Sequence, residues 1–115
     1  IFGTLTVLFF TQKGTYDAFA RDDKRKISLN SIYYNLEMVF YQANGYYPET
    51  LDLDTLPTLN PELLVDPYGR IINTDDSDFR YEPADCRDGK CYEYQLKSRL
   101  EKEDELTKYS IGENR

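Results

Sequence analysis

Between Ala20 and Glu49 the chain reads ARDDKRKISLNSIYYNLEMVFYQANGYYPE, and no other stretch limits the possible folds as strongly. Ile27, Leu29, Ile32, Tyr33, Leu36, Val39, Phe40 and Ala43 recur three and four apart, the spacing that gathers side chains on one stripe of an α-helix. Arg21, Asp22, Asp23, Lys24, Arg25 and Lys26, followed by Asn30, Ser31, Asn35, Glu37 and Gln42, are expected on the wet side. Asn44-Gly45 supplies a left-handed stop, and Pro48 cannot extend the helical ladder. A long helix with an apolar stripe needs a cover, which the remaining residues have to provide.

Composition narrows what such a molecule does. At 115 residues the chain is long enough for one modest core. Its net charge of −7 would repel a phosphate backbone, so no nucleic-acid partner is expected. There is no His, which removes the commonest general base and transition-metal ligand. Nor do a nucleophile, a base and an orienting group cluster anywhere along the chain, so an enzyme is not expected. Eleven Tyr and no Trp suit half-buried surfaces with polar edges.

The charged ARDDKRK segment, then Leu29, Ile32, Leu36-Glu37, Phe40-Tyr41 and the ending Asn44-Gly45-Tyr46-Tyr47-Pro48, resembles the first helix of bacterial type IV pilins and type II secretion pseudopilins. The GYYP ending is the most specific part of the likeness. The resemblance implies an α+β, pilin-like fold in which a long N-terminal helix packs on a small antiparallel sheet. It implies residues 1–19 as an apolar helix segment, embedded in the inner membrane before assembly and in the filament core afterwards, and residues 20–115 as the globular head with the amphipathic half of the helix. Identical subunits in a helical filament, the pilus or secretion assembly machinery and the inner membrane are then the partners. The location implied is an extracellular filament on the bacterial surface. The family's processing signal and the acidic residue near its mature N-terminus are not among these 115 residues.

Residues 1–10, IFGTLTVLFF, are uncharged and mostly apolar. As a helix they cover about 15 Å, half of a bilayer core. The filament or membrane segment would use Ile1, Phe2, Leu5, Val7, Leu8, Phe9 and Phe10, with Ile1-Phe2-Gly3 where many pilins carry an apolar-apolar-Gly step; a plain anchor or the apolar part of a signal peptide is the competing reading. Gly14 costs a helix about 1 kcal/mol relative to Ala, so it marks either a bend or local melting, or an exposed turn that tolerates glycine. Together with Gly3 it makes the first turns the soft part of the rod.

Beyond Pro48, Leu51, Leu53, Leu56 and Leu59 alternate with acids and read as a loop that plugs leucines onto the helix; Pro57 and Pro61 exclude a long helix or central strand there. Leu63-Leu64-Val65 is a short buried run, Asp66-Pro67-Tyr68-Gly69 a turn, and Ile71-Ile72 the start of a strand. That turn is similar to the Asp-Pro-aromatic-Gly turn that opens the sheet in secretion pseudopilins. In NTDDSD, residues 73–78, Asp75, Asp76 and Asp78 are either Ca²⁺ ligands, as the sheet loops of major pseudopilins hold calcium, or a solvated loop; the order does not match an EF-hand. No other cofactor is implied.

Phe79–Glu82 and Tyr92–Leu96 alternate as strands do. Between them lies Cys86-Arg87-Asp88-Gly89-Lys90-Cys91, whose Asp-Gly is the favoured centre of a type I′ hairpin turn. With that turn Arg87 pairs with Lys90, and Cys86 faces Cys91 at a Cα separation of about 4.5 Å, inside the disulfide range. Four intervening residues do not fit a redox dithiol, so a structural disulfide and an oxidising compartment are expected. Two cysteines without His make only half of a zinc site. EKEDELTKYSIGENR, residues 101–115, supplies an edge strand or a helical turn, and its acids are either wet surface or a subunit contact. Tyr81, Tyr94, Leu96 and Leu100 are expected to face Leu29, Ile32, Leu36 and Phe40. Two functions follow, a pilus-like structural subunit for adhesion, motility or secretion, or a membrane-tethered pilin-like binding domain that never polymerises and presents its acidic loop to Ca²⁺ or a partner.

Overall fold

The structure, a computed structural model, describes the backbone of residues 2–52 and 54–112, with side chains from residue 17 onward. Helix α1 (Phe2–Tyr34) runs without a break through Gly3 and Gly14. It continues as a π-helical segment, Asn35–Phe40, and a final α-helical turn, Tyr41–Asn44. Gly45 closes the helix with φ +78°, its N–H donating to the Tyr41 carbonyl at 2.7 Å, the left-handed cap that Asn-Gly announced. Ile1 and Leu53 lie outside the described residues, as do the side chains of Phe2, Leu5, Val7, Leu8, Phe9 and Phe10.

Four antiparallel strands form the sheet: β1 (Tyr47–Pro48), β2 (Phe79–Arg87), β3 (Lys90–Ser98) and β4 (Leu106–Tyr109). β3 is central, with β2 along its whole length on one side. On the other side β1 pairs at Lys90–Cys91 and β4 at Gln95–Ser98, so two short strands share one edge. Pro83 sits in β2, an edge strand, where its missing N–H costs the ladder nothing. The Asn73 amide lines that edge like a fragment of strand, accepting from Tyr81 N–H at 2.8 Å and donating to Tyr81 C=O at 3.0 Å.

The hairpin follows its turn chemistry. Asp88 and Gly89 both have positive φ, 56° and 78°, as a type I′ turn requires. Arg87 pairs with Lys90, and Cys86 with Cys91, and the two cysteines form a disulfide at a Cα separation of 4.0 Å. The Asp66–Gly69 turn also forms, Gly69 N–H donating to the Asp66 carbonyl at 2.9 Å. Ile71-Ile72 does not start a strand. Ile71 makes one isolated bridge to Val65 and is exposed, because the chain turns again at residues 72–77 before a ladder can grow.

Leu29, Ile32 and Leu36 meet Phe79, Tyr81, Tyr94 and Leu96 in one core, which Leu51, Leu56, Leu59 and Leu64 close from the loop side and Phe40 borders. Leu100 does not join it. β3 ends at Ser98, where Arg99 N–H turns to the Asp78 carbonyl, and the alternation that would carry Leu100 inward stops. Ile27, Val39 and Ala43 are exposed, although the stripe was expected to include them. The true core line is Leu29, Ile32 and Leu36; Ile27 lies about 160° from Leu29 around the helix.

Leu36→Asp removes about 2 kcal/mol of apolar burial. It also places an unpaired charge in the core, together a loss comparable with the whole stability of a small domain. Loss of the cooperative thermal transition of the head is the expected result, and circular dichroism checks it.

Candidate functional site at the junction of helix and head

The RDDKRK segment of α1 is the docking surface of the head rather than a wet face. Asp22 and Arg25 are each only 2 % exposed. Arg25 lies four residues before Leu29, so it continues the Leu29-Ile32-Leu36 line toward the N-terminus and points under the sheet. Its Nε and Nη2 reach Asp78 Oδ2 at 3.0 and 2.9 Å, and its Nη1 reaches Asp22 Oδ1 at 2.8 Å and Glu101 Oε2 at 2.7 Å. One guanidinium thus joins the helix to the loop before β2 and to the loop after β3.

The second loop is held from both of its polar sides. Arg21 grips Glu101 with two parallel hydrogen bonds of 2.6 and 2.7 Å, the bidentate fork that suits a carboxylate. The backbone N–H groups of Glu101 and Lys102 donate to the two oxygens of Asp22 at 2.8 and 2.9 Å. Lys26 pairs with Glu103. The acids of residues 101–103 therefore have partners within their own molecule.

In the first loop Asp66 plays the part that Asp22 plays in the second. Its carboxylate accepts from the N–H groups of Tyr68, Arg70 and Asp78, each at 2.9 Å, which fixes the turn and aims Asp78 at Arg25. Tyr68 lies against the guanidinium groups of Arg21, Arg25 and Arg70, at 5.8, 5.7 and 5.2 Å from its ring centre.

The NTDDSD loop, for which both a calcium site and a solvated loop were open, is met by arginines of the chain itself. Arg80 donates to the Asp75 carbonyl at 2.8 Å, and Arg99 to the Asp76 and Ser77 carbonyls at 2.8 and 3.1 Å. Asp78 is buried on Arg25, while Asp75 and Asp76 turn their side chains to solvent. The three proposed calcium ligands are not brought together. Among the described residues no group of three or more His, Cys, Asp or Glu side chains is arranged to hold a metal ion.

A second polar centre lies deeper, at Glu37, which is fully buried although its place in the sequence reads as polar surface. Its Oε1 accepts from Tyr47 Oη at 2.8 Å, and its Oε2 from Tyr94 Oη at 2.7 Å and from Ile111 N–H at 3.3 Å. Tyr47 Oη in turn accepts from Gly112 N–H at 2.9 Å, so one carboxylate gathers the helix, β1, β3 and the chain after β4. The π-helical segment makes this possible, since its wider turn changes the phase of the helix and swings Glu37 inward beside Leu36. Tyr47, Tyr81 and Tyr94 stack edge and face around the centre, and burial pushes all three phenols above their ordinary range.

The electrostatics agree with the geometry. Hydrogen bonds from Arg21 and then Arg25 bring the Glu101 carboxyl from 4.5 down to about 2. Burial pushes Asp22 up, but the N–H groups of Glu101 and Lys102 and the Arg25 guanidinium outweigh it, and its range falls below normal. Asp66 falls in the same way, burial being overcome by the N–H groups of Asp78, Arg70 and Tyr68. The charged groups of this junction satisfy one another, which suits it to holding two parts of a molecule together.

No family model, curated protein or solved structure matches the chain. Arg25 and Asp22 had a readable sign in the sequence, the spacing 25-29-32-36 together with an Asp at i−3. For Glu37 there was none, because a π turn leaves no periodicity of its own.

The depressed carboxylates stabilise the fold fully above their unfolded range, near pH 4.5 for Glu101, and lose that contribution as pH falls toward about 2. Stability measured against pH should therefore drop between about pH 4.5 and 2, and Glu101→Gln should flatten part of that drop. Thermal melts across this range check both.

Proposed function

We propose that this chain is a structural subunit of a type IV pilus-like extracellular filament, polymerising through its apolar N-terminal helix for adhesion, motility or secretion. The observation that carries this reading is a 33-residue helix, about 50 Å long, in which residues 2–10, mostly apolar in sequence, lie at one end while the head docks on the other. Described contacts between helix and head run from Phe19 to Tyr41, and the molecule measures 66 × 26 × 24 Å.

Three further features support it. The residue pattern up to Asn44-Gly45-Tyr46-Tyr47-Pro48 resembles the pilin helix, and the helix ends at that point. The Cys86–Cys91 disulfide suits an oxidising, extracytoplasmic compartment. The ionic junction binds rod and head as one body, as a subunit under load requires. Among the described residues no helix is long and apolar enough to cross a membrane by itself. On this reading the partners are identical subunits, the assembly machinery and, before assembly, the inner membrane.

The test compares cells producing the chain, cells lacking it and cells producing Leu8→Lys, by electron microscopy of sheared surface material with an antibody to the head. Labelled filaments in the first only, with the variant retained in the cell, are expected. Unchanged appendages in cells lacking the chain would refute the reading; label confined to unassembled membrane protein would favour the tethered domain.

A further inference from the structure

A groove runs along the flank of the head, where α1 meets the loop that leads into the 3₁₀ turn Pro61–Leu64. Asn30, Ser31, Tyr34 and Asn35 form its helix wall, and Thr58 and Asn60 its loop wall. Buried Leu59 and half-buried Leu63 supply apolar surface between them. Its volume is about 340 Å³, at the lower end of the range for small-molecule sites.

The Asn35 amide ties the two walls together, its Nδ2 donating to the Ser31 carbonyl at 3.0 Å and its Oδ1 accepting from Thr58 Oγ1 at 2.9 Å. The groove is therefore shaped before anything enters it. Asn60 spends its Oδ1 on the Glu62 N–H at 3.1 Å, which leaves its amide nitrogen with two protons to give. Among the described residues the side chains of Asn30, Ser31 and Tyr34 have no hydrogen-bond partner. Tyr34 is 61 % exposed and stands one helical turn from Asn30, so a ring and an amide lie side by side.

Charge sets this groove apart. Of the whole chain 30 % is charged, yet none of the residues lining the groove is. An ion would enter without a counter-charge, and a hydrocarbon would cover the amides without replacing their bonds to water. A peptide strand needs a free sheet edge, which a helix and a loop do not offer. A sugar meets all of these demands. Its hydroxyls both donate and accept, neighbouring ones fit the carbonyl and amino group of one amide, and its C–H face lies flat on a tyrosine ring.

We propose that this groove binds a neutral saccharide. Tyr34 carries the C–H face of a sugar ring, Asn30 and the Asn60 amino group take its hydroxyls, and Asn35 with Thr58 holds the walls in position. The site lies within one molecule, so it depends neither on a second copy nor on assembly.

The test follows the side-chain amide signals of Asn30 and Asn60 by nuclear magnetic resonance, using the full isotope-labelled chain in a zwitterionic detergent that carries no sugar. The probes are the methyl glycosides of the common neutral hexoses and N-acetylhexosamines, with methyl glucuronide and acetyl-trialanine-amide as charged and peptide comparisons. Saturable shifts with at least one neutral glycoside, at a Kd of about 1 mM, are expected. Tyr34→Ala and Asn30→Ala should each weaken that binding about fivefold. Tyr109→Ala, which removes a ring 63 % exposed on β4, should leave it unchanged. Absence of shifts with every neutral glycoside at about 50 mM would overturn the proposal. So would tighter binding of the glucuronide or the peptide, or equal losses at positions 34 and 109. Unchanged thermal melts establish that each variant is folded. Filaments without sugar binding sink the saccharide site alone, whereas sugar binding without filaments sinks the filament reading alone.

Discussion

The structure depends on one buried guanidinium. Arg25 reaches three carboxylates that belong to three separate parts of the chain, Asp22 on its own helix, Asp78 before β2 and Glu101 after β3. Taking an arginine out of water is costly, and removing a single partner from such a group leaves an uncompensated charge. The carboxylates are held in turn by backbone N–H groups, through Asp22 to the second loop and through Asp66 to the first, so each part fixes the orientation of the next. This supplies direction as well as attraction. An apolar stripe alone would let a sheet slide along a helix, whereas an ionic cluster of this geometry admits one position.

The apolar core and the Glu37 centre complete the same junction farther along the helix. Leu29, Ile32 and Leu36 bury against β2 and β3, and Glu37 then collects the hydroxyls of Tyr47 and Tyr94 together with Ile111 N–H. The polar groups therefore lie at both ends of the apolar contact, Arg25 toward the N-terminus and Glu37 toward the C-terminus. If the chain serves as the proposed filament subunit, that arrangement has a use, because force on the rod reaches the head through ion pairs and hydrogen bonds of defined direction as well as through greasy contact.

Local chemistry made part of this readable in advance. The Asn-Gly stop, the type I′ turn and the disulfide at Cys86 and Cys91 follow from a few adjacent residues, and each formed as those residues require. The three-and-four spacing called for a cover over the helix and the resemblance implied that the cover is an antiparallel sheet; Leu29, Ile32 and Leu36 do share one core with Tyr94 and Leu96. What stayed hidden involved charge. Asp22, Arg25 and Glu37 count as polar surface in any reading of hydropathy, and partners 53 to 80 residues away turn two of them inward while a π turn places the third. The NTDDSD loop left two readings open, a calcium site or a solvated loop, and Asp75 and Asp76 do turn to solvent. Its oxygens do bind cations, and the cations are arginines supplied by the chain itself.

A double-mutant cycle on Arg25 and Asp78 measures the junction most directly. Chemical denaturation of the parent, Arg25→Met, Asp78→Asn and the double variant gives the coupling between helix and head. Each single change should cost about 3–5 kcal/mol, and the double variant should lose clearly less than their sum, because the second change removes a charge that the first left unpaired. Strictly additive losses, or single losses below about 1 kcal/mol of the kind seen at exposed pairs, would show that the head is held by its apolar contacts alone.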